Sequence, residues 1–174
     1  KLGIHKTFYH FIAADGLHEG EIDLAGIVRL KMGDVESLEV HSNHFILDTG
    51  SPHYVKSVPD IMKVDVKNAG RLIRYDEKFT AKGINVNFIE ALHEDEIFVR
   101  TYERGVEDET MSCGTGVTAA ALVSAHTDNG FNRVEVKTMG GHVSVEFDKI
   151  DDHHFQNIWL CGPADLVFTG TIEA

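Results

Sequence analysis

The amino-acid sequence predicts an α+β fold in which a mostly antiparallel sheet curls, or closes into a barrel, around one buried helix. Strand signals dominate, with about ten short strand-like runs against two stretches of helical spacing. The stronger helical stretch, 114–125, carries small side chains on nearly all sides, which is typical of a helix buried all round. A helix of this kind fits inside a curved sheet.

The predicted elements follow from local patterns along the chain. Runs of β-branched, aromatic or alternating residues bounded by turn signals predict strands. These runs are 7–13, two stretches within 21–32, 44–47, 53–58, 84–91, 96–102, two arms within 133–147, 158–161 and 165–172. Asp15 with Gly16, and Gly140 with Gly141, predict hairpin turns. The apolar spacing over 59–79 predicts a helix with Asp60 as its N-cap.

Composition excludes several classes of protein. The 174 residues carry a formal net charge of −12, which argues against binding a nucleic-acid backbone or an anionic membrane surface. No apolar run approaches the roughly 18 residues of a membrane-spanning helix. Two cysteines cannot form a disulfide scaffold, and they are typical of a reducing compartment. We therefore expect a cytoplasmic domain that binds neither nucleic acid nor membrane.

The most informative motif is a glycine-rich turn immediately before the predicted helix. It places Cys113 at the helix N-terminus, where unpaired backbone N–H groups and the positive end of the helix dipole favour an anion. We therefore expect a thiolate to be accessible near neutral pH. Gly114 and Gly116 allow a carboxylate to approach the bare amides, and Thr115 adds a hydroxyl donor. The alternative is a structural cysteine that is merely buried.

Charged residues precede this turn. Glu103 can accept hydrogen bonds from a substrate ammonium, and Arg104 can pair with a carboxylate through its planar guanidinium. A solvated surface ion pair is the alternative for both residues. Cys161 lies in an apolar strand and is interpreted as a packing residue.

Polar residues on other predicted strands indicate a pocket. Asn85 and Asn87 alternate with apolar residues, so both point to one face of a strand. An edge strand or a bulge would explain them equally well. His53 follows a turn-rich loop and could be a neutral hydrogen-bonding partner or a structural residue. The eleven histidines include no HExxH pattern, and no paired CxxC set occurs, so no metal site is expected.

Taken together, these motifs resemble the diaminopimelate epimerase family. The sequence ERG, followed by SCGTG and a small-residue helix, resembles the family's second catalytic motif. Further similar blocks occur in the same order: 49–53 resembles the GNPH loop, 84–88 the substrate-asparagine strand, 139–141 a late hairpin, and 162–170 the closing strand. The resemblance covers nearly the whole chain.

The resemblance implies an amino-acid epimerase of lysine biosynthesis that converts LL-diaminopimelate to the meso form without a cofactor. Cys113 would be one of two cysteines that exchange the α-proton, with His53 beside the pair. The residues implied to bind substrate are Asn85, Glu103, Arg104, Gly114, Thr115 and Ser51, the last standing where the family commonly has Asn. The implied partners are the small-molecule substrate diaminopimelate and a second copy of the chain in a homodimer.

The family's other cysteine motif, of MCGNG type, is expected before residue 1. Residues 1–3 resemble the end of the helix that follows it, so the chain resembles the C-terminal portion of a two-fold repeated fold. We therefore expect a C-terminal epimerase domain over 15–163, with strands at 1–14 and 164–174 belonging to a mostly missing N-terminal domain. We also expect the chain alone to be inactive. The alternatives are a Cys–His hydrolase, with Cys113 as nucleophile and His53 as base, and a non-catalytic binding fragment.

Overall fold

The computed structural model describes residues 7–13 and 16–172. Its strands are β1 (Phe8–Ala13), β2 (Gly16–Ile22), β3 (Ile27–Lys31), β4 (Leu38–Val40), β5 (Phe45–Asp48), β6 (Pro52–Ser57), β7 (Asn85–His93), β8 (Glu96–Glu103), β9 (Asp108–Thr110), β10 (Gly130–Thr138), β11 (Gly141–Lys149) and β12 (Phe155–Pro163). The helices are α1 (Val66–Arg74) and α2 (Gly114–Val123), and a short 3-10 turn covers Ile61–Lys63.

The strands form one mixed sheet that does not close. Their order is β1-β2-β3-β12-β11-β10-β8-β7-β6-β5-β4, with β9 paired to β8 on one side. Pairing is antiparallel except between β6 and β7 and between β8 and β10. Because β1 and β4 remain as edges in the described residues, the barrel alternative is wrong and the sheet is a curled, open one.

The predicted helix over 114–125 is confirmed as α2, and it is buried. Its residues 116–122 are all inaccessible to solvent, and they include three consecutive alanines. The helix contacts strands β5, β6, β7, β8, β10, β11 and β12. Small side chains permit such close approach on every side, and one helix reaches all these strands because the sheet curves.

The segment 59–79 does not form the single helix that the sequence predicts. Asp60 precedes a 3-10 turn, the chain becomes extended at Val64, and Asp65 caps α1 by accepting a backbone N–H from its first turn. The interruption follows from Arg100, whose guanidinium donates to two carbonyl oxygens of this turn, at 2.8 and 3.1 Å. Those carbonyls are therefore satisfied without a continuous helix.

Four strand assignments differ from the prediction. The short strands β4 and β9 were not predicted, β2 begins at Gly16 whereas the predicted stretch begins at residue 21, and the predicted strand over 165–172 does not form. That segment has no partner strand in the described structure, and its apolar side chains are exposed, with Val167 at 88%. An extended segment without a partner has no ladder of hydrogen bonds to hold it. The predicted hairpin turn at Gly140 is confirmed, whereas Asp15 and residues 1–3 lie outside the described residues.

Neither helix in the described part of the chain is long and apolar enough to cross a membrane.

Candidate active site

The loop between β5 and β6 is fixed to the first turn of α2. The hydroxyl of Thr49 donates to the backbone oxygen of Thr115 at 2.8 Å. Gly50 adopts φ +101°, a conformation that favours glycine, and it faces the methyl group of Thr115. This contact brings the 49–53 loop and the glycine-rich turn together, as the sequence resemblance implied.

Cys113 is the N-cap residue of α2. Its backbone is extended, at φ −125° and ψ 113°, and its side chain makes no capping hydrogen bond. The half-buried sulfur lies 3.5 Å from the hydroxyl oxygen of Thr115. The first turn of the helix contains no acidic residue, so the unpaired amides and the helix dipole create a local environment that favours an anion. A bound carboxylate could be held here.

Cys161 faces away from this turn. Its neighbour Leu160 points at Gly114, with a side-chain carbon 3.1 Å from the position that a Cβ there would occupy. Successive side chains of a strand point to opposite faces of the sheet. Cys161 is only 5% exposed, and burial raises the pKa of its thiol. Cys161 is therefore a buried thiol on the face away from the helix start, where it lines a cleft with Arg29, Arg133 and Glu146.

His53 is fully buried and held by Asn87. The side-chain nitrogen of Asn87 lies 3.0 Å from Nδ1 of His53 and donates to the backbone oxygen of Tyr54 at 3.2 Å. The hydroxyl of Thr101 donates to the Asn87 side-chain oxygen at 2.9 Å. Burial, together with the positive charge of Arg104, lowers the pKa of His53 to about 3. His53 is therefore neutral at physiological pH.

Asn85 connects the 49–53 loop to the turn that contains Arg104. Its side-chain nitrogen donates to the Ser51 hydroxyl oxygen at 2.6 Å and to the Pro52 carbonyl at 3.2 Å. Its oxygen accepts the backbone N–H of Arg104 at 2.9 Å. Both amide hydrogens of Asn85 are thus occupied by the protein. Ser51 Oγ also lies 3.4 Å from Nε2 of His53.

The carboxylate of Glu107 stabilises the turn after β8. Glu107 adopts φ +59°, and its backbone N–H donates to the Glu103 carbonyl at 2.8 Å. Its carboxylate accepts from the Gly105 N–H at 3.1 Å and from the Tyr102 hydroxyl at 3.0 Å. Arg74 lies 3.5 Å from the same carboxylate. These contacts fix the conformation of the turn.

Arg104 and Glu103 do not pair with each other. One guanidinium nitrogen of Arg104 donates to the Lys82 carbonyl at 2.9 Å, and the aliphatic part of the side chain passes close to Gly83. Within the described residues, the Glu103 carboxylate has neither a hydrogen bond nor an ion pair. The alternative interpretation, in which Glu103 and Arg104 form a surface ion pair, is therefore wrong.

The structure thus links most of the predicted site residues through direct contacts. One hydrogen-bonded chain connects Ser51, His53, Asn85 and Arg104. Thr49 connects this chain to the start of α2, because its backbone N–H donates to the Ser51 carbonyl and its hydroxyl donates to the Thr115 carbonyl. Sequence reasoning missed the contributions of Thr101 and Glu107. No residue pattern marks them, because their roles depend on pairing between distant strands and on one turn conformation.

Comparison with known proteins identifies relatives of this chain. The family model described as diaminopimelate epimerase matches residues 45–167. A diaminopimelate epimerase from Flavobacterium psychrophilum is 43% identical over 173 residues, which covers 99% of this chain and 67% of the relative. One from Chlorobaculum tepidum is 38% identical over 182 aligned residues, covering 98% of this chain and 68% of the relative. The chain therefore spans about two thirds of the length of these relatives.

Two solved structures share the fold at low sequence identity. A PhzF-family phenazine biosynthesis protein from Bacillus anthracis has a TM-score of 0.65 at 12% identity, covering 92% of this chain and 66% of the other. A hydroxyproline epimerase from Agrobacterium vitis has a TM-score of 0.64 at 12% identity, covering 93% and 58% respectively.

Proposed function

The chain belongs to the diaminopimelate epimerase family, a family of PLP-independent isomerases, and on this premise we propose that it supplies one half of a site that interconverts LL- and meso-diaminopimelate. The observation that carries the proposal is the position of Cys113. A half-buried thiol at the start of a buried helix adjoins a preorganised set of polar groups. This arrangement suits removal of a proton from a carbon acid.

The proposed chemistry is a proton exchange between two thiols. The thiolate of Cys113 takes the α-proton and becomes a thiol, while the electron pair remains on the α-carbon. A second thiol on the opposite face gives its proton to that carbon and becomes a thiolate, which inverts the centre. No cofactor delocalises the carbanion in this scheme, so desolvation and fixed dipoles must stabilise it.

The substrate-binding roles follow from chemistry and position. Arg104 retains guanidinium N–H groups that can bind a carboxylate. The Glu103 carboxylate, which pairs with no residue in the described part of the chain, suits the ammonium group. The amides of Gly114 and Thr115 would hold a carboxylate at the helix start. Ser51 would add a hydroxyl contact, whereas Asn85 would orient Ser51 and the Arg104 turn, with one lone pair of its oxygen left for substrate.

The second thiol must come from another segment of polypeptide. The sequence contains two cysteines, and Cys161 lies on the face of the sheet away from the helix start. We therefore propose that residues 15–163 form one epimerase domain and half of a two-fold repeated fold. Residues 1–14 and 164–174 would belong to the domain that carries the first cysteine. On this basis the chain alone does not invert its substrate.

The hydrolase alternative is disfavoured by the surroundings of His53. A catalytic base must accept a proton from the nucleophile, but burial keeps the pKa of His53 at about 3. Its two ring nitrogens face Asn87 and Ser51. A covalent acyl-enzyme on Cys113 is therefore not expected.

Two further proposals concern the setting of the protein. The resemblance supports a homodimer, which light scattering of the purified chain would test. The two free thiols support a cytoplasmic location, because thiols persist in a reducing compartment.

Calorimetric titration with diaminopimelate tests the proposed function. We expect saturable binding to the chain, weakened about tenfold or more in Arg104→Gln because a charge-assisted contact is lost. Arg133→Gln is the matched control, since Arg133 pairs with Glu135 and Glu146 elsewhere on the sheet. The absence of heat at millimolar ligand would overturn the proposal in favour of an inert fragment. After incubation with an activated amino-acid ester as acyl donor, an acyl adduct on Cys113, formed with release of the alcohol, would favour the hydrolase.

A further inference from the structure

The orientation of the Asn87 amide is determined by a neighbour that can only accept. The backbone oxygen of Tyr54 lies 3.2 Å from one end of the amide, and a carbonyl oxygen has no proton to donate. That end must therefore be the NH2 group. The opposite end accepts from the Thr101 hydroxyl at 2.9 Å, in agreement with this orientation.

This orientation decides which nitrogen of His53 carries the proton. One hydrogen of the Asn87 NH2 group goes to Tyr54, and the other points to Nδ1 of His53 at 3.0 Å. Nδ1 must then be an acceptor without a proton. A neutral imidazole has one N–H group, so the proton lies on Nε2, which faces Ser51 Oγ at 3.4 Å.

Ser51 consequently receives two donors. Asn85 donates to its oxygen at 2.6 Å, and the orientation of Asn85 is determined in the same way by Pro52 on one side and the Arg104 N–H on the other. A serine hydroxyl has two lone pairs and one proton. With both lone pairs engaged, its proton is directed to a third group.

We propose that Asn87 is a positioning residue that holds His53 as the Nε2–H tautomer, which makes Ser51 an obligatory hydrogen-bond donor toward the site. The tautomer assignment does not depend on the substrate. Its consequence rests on the proposed function: the acceptor that Ser51 meets is a carboxylate of the bound amino acid. Ser51 thereby selects for an acceptor, whereas an asparagine at this position could present either a donor or an acceptor.

Asn87 also packs directly against the glycine-rich turn at the start of α2. A Cβ on Gly116 would overlap the Asn87 side-chain oxygen, and Cys113 Cβ lies 3.4 Å from that same position. The bare glycine leaves the space that the amide occupies. The group that sets the tautomer is therefore braced between Thr101 and the first turn of α2.

Nitrogen-15 NMR of the histidine-labelled chain tests the tautomer directly. We expect the one-bond N–H coupling of His53 at Nε2, with the resonance assigned by its loss in His53→Gln. Asn87→Asp replaces the NH2 group with a carboxylate oxygen that can only accept, and it should move the proton to Nδ1. Thr101→Val is the matched control, because it leaves the NH2 group in place and should keep the proton on Nε2.

The parent spectrum keeps the proposal falsifiable even if Asn87→Asp fails to fold, since a proton on Nδ1 in the parent chain overturns it. The donor role of Ser51 is tested by titration with diaminopimelate. We expect Ser51→Ala to weaken binding about tenfold. Unchanged affinity in Ser51→Ala would overturn the donor role of Ser51. Failure of the parent chain to bind diaminopimelate would contradict the proposed function, while the tautomer measurement would remain valid.

Discussion

The side-chain oxygen of Asn87 occupies the space that a methyl group on Gly116 would need. This contact joins the third residue of β7 to the first turn of α2, about one helical turn from Cys113. Backbone and amide can meet here because glycine has no Cβ. The contact explains why two elements that are distant in sequence hold the thiol and the histidine in one rigid arrangement.

Substitution of Gly116 by alanine is therefore expected to destabilise the protein by about 1–3 kcal/mol, since the amide or the helix must move. Thermal unfolding measures this loss. Gly33→Ala is the control, because no atom of residues 7–13 or 16–172 outside its own neighbours lies within 4 Å of the position that its Cβ would take. Equal melting temperatures for the two variants would contradict the close packing described for Asn87.

The buried His53 makes stability depend on pH. Its pKa is about 3 in the folded chain against 6.5 when unfolded, so between these values the unfolded state binds the proton and the folded state does not. Stability therefore falls as the pH drops below 6.5, by up to about 1.4 kcal/mol per pH unit from this group. Chemical denaturation between pH 7 and pH 5 measures the slope.

His53→Gln should reduce this slope without removing all of it. His44 contributes in the same direction, because burial lowers its pKa too. A slope that is identical in the parent and in His53→Gln would show that His53 is solvated or already protonated in the folded chain.

Glu107 is expected to stabilise the turn that carries Arg104. Glu107→Ala removes the acceptor for the Tyr102 hydroxyl and the Gly105 N–H, which should cost about 1–2 kcal/mol and weaken diaminopimelate binding. Exposed Glu94, in the turn between β7 and β8, provides the control substitution Glu94→Ala. Unfolding and titration measure the two effects. Loss of stability with unchanged affinity would mean that the turn does not position Arg104 for substrate.

The two cysteines should differ sharply in reactivity. Cys113 is half-buried at a helix N-terminus, whereas Cys161 is buried and burial raises the pKa of its thiol. Brief treatment with iodoacetamide followed by peptide mass spectrometry should label Cys113 alone in the native chain and both residues after denaturation. Preferential labelling of Cys161 in the native chain would contradict the assignment of Cys113 as the reactive thiol.

Much of this arrangement could be predicted from local sequence. The helix after Cys113 and the hairpin at Gly140 follow from small residues and paired glycines. The break at Val64 could not be predicted, because Arg100 comes from a strand far along the chain. Strand β9 could not be predicted either, because its three residues form a strand only by pairing with β8.

The site shows the same division between local and distant information. Residue type and spacing marked Cys113, Arg104 and Asn85 as candidates, and the family resemblance supplied the roles proposed for them. The proposed role of Asn87 as the residue that holds the His53 tautomer could be inferred only from the structure, which shows the backbone carbonyl of Tyr54 facing its amide. The direction of a hydrogen bond depends on which groups the folded chain brings together, so a short sequence motif cannot predict it.

The central claim, that Cys113 is one of two thiols needed for inversion, is tested most directly by incubating LL-diaminopimelate with the 174-residue chain in deuterium oxide. Chiral chromatography with mass spectrometry would measure both the stereochemistry and the deuterium at the α-carbon. We predict that no meso isomer forms, because this chain presents one thiol at the site. Efficient formation of deuterated meso-diaminopimelate by this chain would contradict the two-thiol scheme.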